Sequence, residues 1–262
     1  MSEISVALVT TLYDPESRMA QMAEPLAERW LKHFAEVLIF TSPEGKGRTG
    51  ARLAEQGLRV VEDTGKQGVE QMGRIRLRAL EAAAANHYSH YLLIDFDRLI
   101  HWESHHPAEL RRVQSAMPNY DLLVLGRTPR AFQTHPRIQQ ETERLANEAF
   151  AAFFGAPLDV TGGGRALSAR AISTIRAYSR CEGMGVDGEW PVLCHRLGLH
   201  VGYILAEGLE YETADRYQEE ISTLGYEKWL ERHVNTPATW EQRLRFAHQI
   251  VAATRDAKER QL

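Results

Sequence analysis

Along the first half of the chain, short apolar runs alternate with longer stretches whose apolar positions recur every three or four residues. Ile4 to Leu12 reads as a buried strand, and Ser17 to His33 as a helix with Met19, Met22, Leu26 and Trp30 on one face. Val37 to Thr41 and Leu58 to Val61 read as strands, with a short helix from Arg52 to Gln56 between them. Gln71 to Ala85 is a helix rich in Ala, Leu and Arg, followed by strands at Tyr91 to Ile94 and Leu122 to Leu125. Strand–helix alternation of this kind predicts an α/β fold with mainly parallel strands and helices on both faces.

The second half is less regular. Gln139 to Phe154 reads as a helix, and Gly162-Gly163-Gly164 as a break before a further helix from Ser168 to Ser179. Gly188 to Leu197 is a predicted helix and His200 to Leu205 a predicted strand. From Glu227 the chain turns helical and charged, with Trp229, Leu230, Trp240, Leu244, Phe246 and Ile250 as docking residues. The expected organisation is one large domain, residues 1–225, and a helical appendage packed on it, residues 226–262.

Composition narrows the class. With 262 residues, 44% of them hydrophobic and 25% charged, the chain can bury a large core and has no signature of disorder. A net charge of −4 gives no support for nucleic-acid binding, although a local basic cleft can still hold phosphates. Cys181 and Cys194 are too few for a disulfide framework. Met1-Ser2-Glu3-Ile4 does not read as a signal peptide, and the apolar runs are too short to span a bilayer. The expectation is a cytoplasmic protein with no transmembrane segment.

In a sheet of this kind ligands sit beyond the carboxyl ends of the strands, which singles out Thr10-Thr11, Ser42, Glu62-Asp63 and Asp95-Phe96-Asp97. The last is the most informative. An apolar strand delivers two carboxylates, two residues apart, into the loop at its end, and hard cations such as Mg²⁺ or Mn²⁺ take carboxylate and phosphate oxygens. The plain alternative is a helix N-cap followed by a solvated acid. Upstream, Gly73-Arg74-Ile75-Arg76-Leu77-Arg78 puts Arg74 and Arg78 on one helix face and Arg76 on another. An arginine aimed at the ligand edge can pair bidentately with a diphosphate; a solvated basic face is the alternative. A carboxylate at Asp63, beside Thr11, can accept from a ring N–H of uracil or guanine, which adenine does not offer on the same edge. His101 and His105 lie one helical turn apart, but no third ligand is recognisable, so they read as packing or surface residues.

The Asp-x-Asp after the fourth strand, preceded by an Arg-bearing helix, resembles the GT-A glycosyltransferase superfamily. Gly162-Gly163-Gly164-Arg165-Ala166-Leu167-Ser168 is similar to its acceptor-side segment, and Gly185-Val186-Asp187-Gly188-Glu189-Trp190 to its acidic catalytic segment. Mannosylglycerate-synthase-like enzymes are the relatives suggested. The resemblance covers about residues 4–217 and implies a Rossmann-like fold with a mixed, mainly parallel sheet, and transfer of a sugar from a UDP- or GDP-linked donor to an acceptor hydroxyl, with Mg²⁺ or Mn²⁺ as cofactor. It further implies donor contacts at Arg74, Arg76, Asp95, Gly163 and Gly164, metal ligation by Asp95 and Asp97, and acceptor-side acids at Asp187 and Glu189, the first nearest the reacting hydroxyl. Asp187 also reads simply as a helix N-cap. The family's metal-binding histidine is missing after His200 to Leu205, where Glu210 or Glu212 stands in its place; Glu212 is taken as the candidate ligand.

Three rival readings are weighed. A haloacid-dehalogenase-like phosphatase would carry Thr or Val where Leu99 stands, and its motif would follow the first strand. A sugar-phosphate nucleotidyltransferase would carry a Gly-rich basic loop where Thr10-Thr11-Leu12-Tyr13-Asp14 stands. A non-catalytic nucleotide-sugar-binding protein would keep the whole pattern.

Overall fold

The protein is described by a computed structural model in which residues 5–262 are defined; the expected strand start at Ile4 and the Met1-Ser2-Glu3-Ile4 leader reading lie outside the described residues. Seven strands form one sheet: β1 (Val6–Leu12), β2 (Glu36–Thr41), β3 (Arg59–Glu62), β4 (His90–Asp95), β5 (Leu122–Arg127), β6 (Gly164–Ser168) and β7 (Val201–Ala206). Their order is β3-β2-β1-β4-β6-β5-β7. All pairings are parallel except those of β6, which runs antiparallel to both β4 and β5.

Each sheet face is covered by its own apolar layer, which is the physical reason for the near-continuous hydrophobic runs in β1, β4 and β5. On one face Leu8, Ile39 and Ile94 pack with Trp30, Phe96 and Trp102. On the other, Val9, Tyr91 and Leu93 pack with Leu80, Phe150 and Trp190. Each such side chain contributes roughly 1.5–3 kcal/mol when fully buried.

β6 is not expected from the sequence, where its first residue, Gly164, reads as part of a glycine break. Five residues that begin Gly-Arg, with the arginine buried, do not look like a strand, yet Arg165 pairs in register with Leu93 of β4 and Val124 of β5. Four helices were also unforeseen, Phe96–His105, Pro107–Ala116, Pro129–Gln133 and Gln218–Leu224. The expected helix from Ser17 is shorter and broken: Ala20–Ala23 and Ala27–His33 are separated by a tight turn containing Pro25, which cannot donate an interior helical hydrogen bond. The expected short helix at Arg52 begins earlier and spans Gly47–Glu55.

The helix Pro237–Glu259 lies against the helices Arg137–Phe154 and Val186–Arg196, and buries Phe246, Ile250, Ala253 and Ala257. It therefore forms part of the same layer that covers the sheet. Among the described residues, no helix is long and apolar enough to cross a membrane.

Candidate active site

A cavity of about 740 Å³ opens at the carboxyl ends of β1, β2 and β4. Thr11, Leu12 and Tyr13 line it from the end of β1, and Thr41, Ser42 and Glu44 from the end of β2. Asp95 and Asp97 stand at its centre, but not in a loop as expected. Asp95 is the last residue of β4, and Asp97 lies in the first turn of Phe96–His105. Asp95 caps no backbone N–H with its side chain, so the N-cap alternative does not account for it.

The parallel pairing of β1 with β4 puts Thr11 beside Asp95, and the Thr11 hydroxyl donates to Asp95 Oδ1 at 3.2 Å. Arg76 donates to the same carboxylate at 3.1 and 3.3 Å. Burial pushes the Asp95 carboxyl up, but Arg76 and then Arg98 outweigh it and hold it below the usual carboxylate range. Asp95 is thus an ionised acid neutralised by arginine.

Asp97 behaves differently. Burial first, then the nearby Glu212 carboxylate, push it up to about 6, against the opposing pull of Arg216, whose guanidinium lies 3.1 Å away. Glu212 is buried, lines the cavity, and approaches Arg98 only at 3.7 Å. Its Oε2 is buried without a hydrogen-bond partner. Two crowded carboxylates, one carrying an unsatisfied oxygen, suit a divalent cation that would relieve both the repulsion and the orphaned acceptor. Among the described residues no set of three or more His, Cys, Asp or Glu converges on one point, so a cation held here would take only part of its coordination sphere from these side chains. Ligand oxygens and water would complete it, as is usual for Mg²⁺.

Of the three arginines on Met72–Ala84, only Arg76 reaches the site. It is 3% exposed and donates to Asp187 Oδ1 at 3.1 Å as well as to Asp95. Gly73 permits this, because a Cβ there would lie 2.5 Å from Val186 Cγ1 and hold the two helices apart. Arg74 does not line the cavity; only its backbone N–H is engaged, with Glu182 O. Arg78 is spent on Asp63, at 2.9 and 2.6 Å.

That pairing corrects the expectation for Asp63. Its oxygens are filled by Arg78, Gln67 and Gly65 N, and it does not line the cavity; Gln67 does. Gly163 lines the cavity with φ +80°, a conformation glycine adopts without strain, while Gly164 is a buried residue of β6. The Gly162 carbonyl accepts from the Arg98 guanidinium, which fixes this turn against the metal-side helix.

Asp187 lines the cavity, but as a residue of the helix Val186–Arg196 and not of a loop. Its Oδ1 accepts from both Arg76 and Arg165, leaving Oδ2 for the cavity. Glu189 is a correction. It is fully buried, accepts from Ser179, from Arg180 N and from Arg260 at 3.0 Å, and does not line the cavity. It ties the chain's C-terminal residues to the helix and has no access to an acceptor.

Glu210, the other acid considered for the metal, is taken up by Arg130 at 2.6 Å and by His106 and His101 at 2.9 and 3.3 Å. Burial disfavours the charged His101, yet Asp215 and then Glu210 outweigh it and raise its pKa. His101 and His105 stack with ring centroids 4.3 Å apart, so the packing reading of this pair agrees with the geometry.

Arg98, Arg216 and Arg243 are charged residues of the site that the sequence does not single out, and Arg165, which lies in the acceptor-side segment, reaches Asp187. Arg98 adjoins Asp97, but adjacency in sequence does not reveal direction. Arg243 lies on the C-terminal helix, 100 residues from its partner Glu143.

The sheet order, with one strand antiparallel, and the helices on both faces make a GT-A-like fold. The similar solved structures include glucosyl-3-phosphoglycerate synthase of Mycobacterium tuberculosis, at TM-score 0.62 and 17% identity, covering 98% of this chain and 81% of that one. The same synthase in complex with Mn²⁺, UDP and glucosyl-3-phosphoglycerate matches at TM-score 0.60 and 16% identity, over 98% and 81% of the two chains. Its complex with Mg²⁺ and UDP matches at TM-score 0.54 and 18% identity, over 88% and 80%. No protein-family model and no curated protein sequence matches the chain. Identity at this level carries the fold.

Proposed function

We propose that the protein is a divalent-metal-dependent glycosyltransferase that moves a sugar from a UDP- or GDP-linked donor to an acceptor hydroxyl. The observation that carries this reading is the crowded pair of Asp97 and the orphaned Glu212 at the end of β4, inside a cavity large enough for donor and acceptor together. The ligands of the structurally similar Mycobacterium tuberculosis synthase, UDP with Mn²⁺ or Mg²⁺, lend support.

In this reading Asp97 and Glu212 hold the cation together with the donor diphosphate. The bound ion would neutralise charge on the leaving diphosphate and orient it. Asp95 stays ionised on Arg76 and Thr11, and is placed to accept from a donor hydroxyl instead of binding the ion directly. With the ion bound to Asp97, Arg216 would be free to pair with the diphosphate. The base lies over the ends of β1 and β2, with Thr11 below it and the exposed ring of Tyr13 as a stacking surface. Asp187 Oδ2 is the acid nearest the acceptor hydroxyl. Because Oδ1 is held by two guanidiniums, it orients that hydroxyl by accepting its hydrogen bond more than it removes the proton.

A thermal-shift series of UDP, GDP and ADP, each with and without Mn²⁺, tests the reading. Metal-dependent stabilisation by UDP or GDP beyond ADP is the expected result. Equal stabilisation by ADP, or none that needs metal, overturns it.

A further inference from the structure

We propose that the acceptor side of this cavity takes an uncharged, hydroxyl-bearing molecule with an apolar face, and rejects small anionic acceptors such as phosphoglycerate. The inference rests on the glycosyltransferase reading above and specifies the second substrate.

Among the described residues, four cationic side chains line the cavity, Arg76, Arg98, Arg216 and Arg243. Each is already paired. Arg76 lies between Asp95 and Asp187 at 3.1 Å from each, and Arg98 faces Glu212 at 3.7 Å. Arg216 meets Asp97 at 3.1 Å, and Arg243 meets Glu143 at 3.3 Å. A cation bound between Asp97 and Glu212 would release Arg216 from Asp97 and Arg98 from Glu212, but on the donor side, where the diphosphate claims the freed charge.

On the acceptor side Arg76 stays buried between Asp95 and Asp187, which leaves Arg243 as the exposed cation there, and its partner is not easily given up. Glu143 is buried, and although burial pushes its carboxyl up, Arg127 and then Arg243 hold it below the usual range. Arg127 lies 2.7 Å from Glu143 and 2.8 Å from Asp159. Two guanidiniums thus face two carboxylates, and the group has no spare positive charge. An anion on the open edge of Arg243 would lie beside the Glu143 carboxylate with no net positive charge to balance it, which is unfavourable in a partly desolvated cavity.

What the walls do offer is neutral. Gln139 and Thr142 project from one helix; Phe246, Ala247 and Ile250 lie on one face of the C-terminal helix opposite. The apolar end adjoins the catalytic acid, because Ile250 packs on Gly188, the neighbour of Asp187. Hydrogen-bonding groups at one end and an apolar wall at the other suit a polyol or glycoside, whose C–H face packs while its hydroxyls pair.

The test follows UDP or GDP release from the nucleotide sugar that binds best with Mn²⁺, with glycerol and methyl glucoside as neutral acceptors and glyceric and 3-phosphoglyceric acids as anionic ones. If no nucleotide binds with metal, the transferase reading itself has failed; with that binding in place, the acceptor series judges this inference alone. The expected result is at least a tenfold stimulation by a neutral acceptor over either acid. Equal or greater stimulation by an acid overturns the proposal, and so does stimulation by none of the four. Glu143→Gln should unmask Arg243 and raise use of 3-phosphoglyceric acid at least tenfold. A folded variant that gains nothing shows that Glu143 does not set the preference. Should the variant fail to fold, the acceptor series on the parent protein still decides.

Discussion

Arg76 donates to Asp95 and to Asp187 at 3.1 Å each, and so one buried guanidinium joins an acid on the central strand to an acid on the helix across the cavity. The donor and acceptor halves of the site are coupled through it. Replacing Arg76 by Met leaves Asp95 with a single hydroxyl donor and Asp187 with Arg165 alone. Loss of one partner from a buried ion pair costs about 3–5 kcal/mol. The lower end applies here, because Asp95 is partly solvated and Asp187 keeps a second arginine. Urea unfolding of Arg76→Met should show a fall of about 3 kcal/mol; a loss of less than about 1 kcal/mol would mean that the bridge is not formed in solution.

Glu189 and Arg260 are expected to matter for stability and not for ligands. Both are nearly inaccessible and Glu189 carries several donors, so Arg260→Ala should cost about 3 kcal/mol by the same principle. UDP or GDP binding with Mn²⁺, measured by calorimetry below the unfolding transition, should match the parent. A selective loss of nucleotide affinity in a stable variant would return Glu189 to the active site.

How far this was legible beforehand can be read from particular residues. β1, β2, β4 and the helix Met72–Ala84 follow from apolar periodicity, because their burial is one-sided or complete and leaves an unmistakable pattern. β6 does not, since a strand that opens on the last of three glycines and carries a buried arginine as its second residue obeys the demands of the site instead of the core. Asp97 was identifiable from its place after an apolar strand. Its partner was narrowed only to Glu210 or Glu212, two residues apart, because a turn without periodic structure does not announce which way its side chains face. Helical geometry puts Arg76 on a different face from Arg74 and Arg78 but does not say which face meets the site, so Arg74 stood beside it as a candidate, whereas Arg165 and Arg243 reach the site only through pairings distant in sequence.

Asp97 predicts a pH dependence. Its carboxyl is pushed up to about 6 by burial and then by Glu212. The folded state therefore keeps a proton that the unfolded chain releases near pH 4. The stability this group contributes is present below about pH 4 and is lost as pH rises through about 6. Metal binding runs the other way, since the cation needs the ionised acid, and Mn²⁺-dependent nucleotide affinity should rise between about pH 5 and 7. Asp97→Asn should flatten the stability change over that window. An unchanged profile in the variant would assign the titration elsewhere.

Tyr13 is 70% exposed at the mouth of the cavity, an unusual place for a large aromatic ring without a ligand to cover it. Stacking of a base on an aromatic side chain is worth about 1–3 kcal/mol. Tyr13→Ala should therefore weaken UDP or GDP binding by about tenfold or more, while Tyr13→Phe keeps it. Unchanged affinity in Tyr13→Ala would remove the ring from the base site.

The central claim is that Asp97 and Glu212 form half of a metal site which the donor diphosphate completes. Calorimetric titration of Mn²⁺ into the protein, alone and with saturating UDP or GDP, tests it most directly. Weak binding to the free protein, much tighter binding once nucleotide is present, and loss of that tightening in both Asp97→Asn and Glu212→Gln are the results predicted. Equally tight binding with and without nucleotide, or tightening that survives either substitution, would contradict the account.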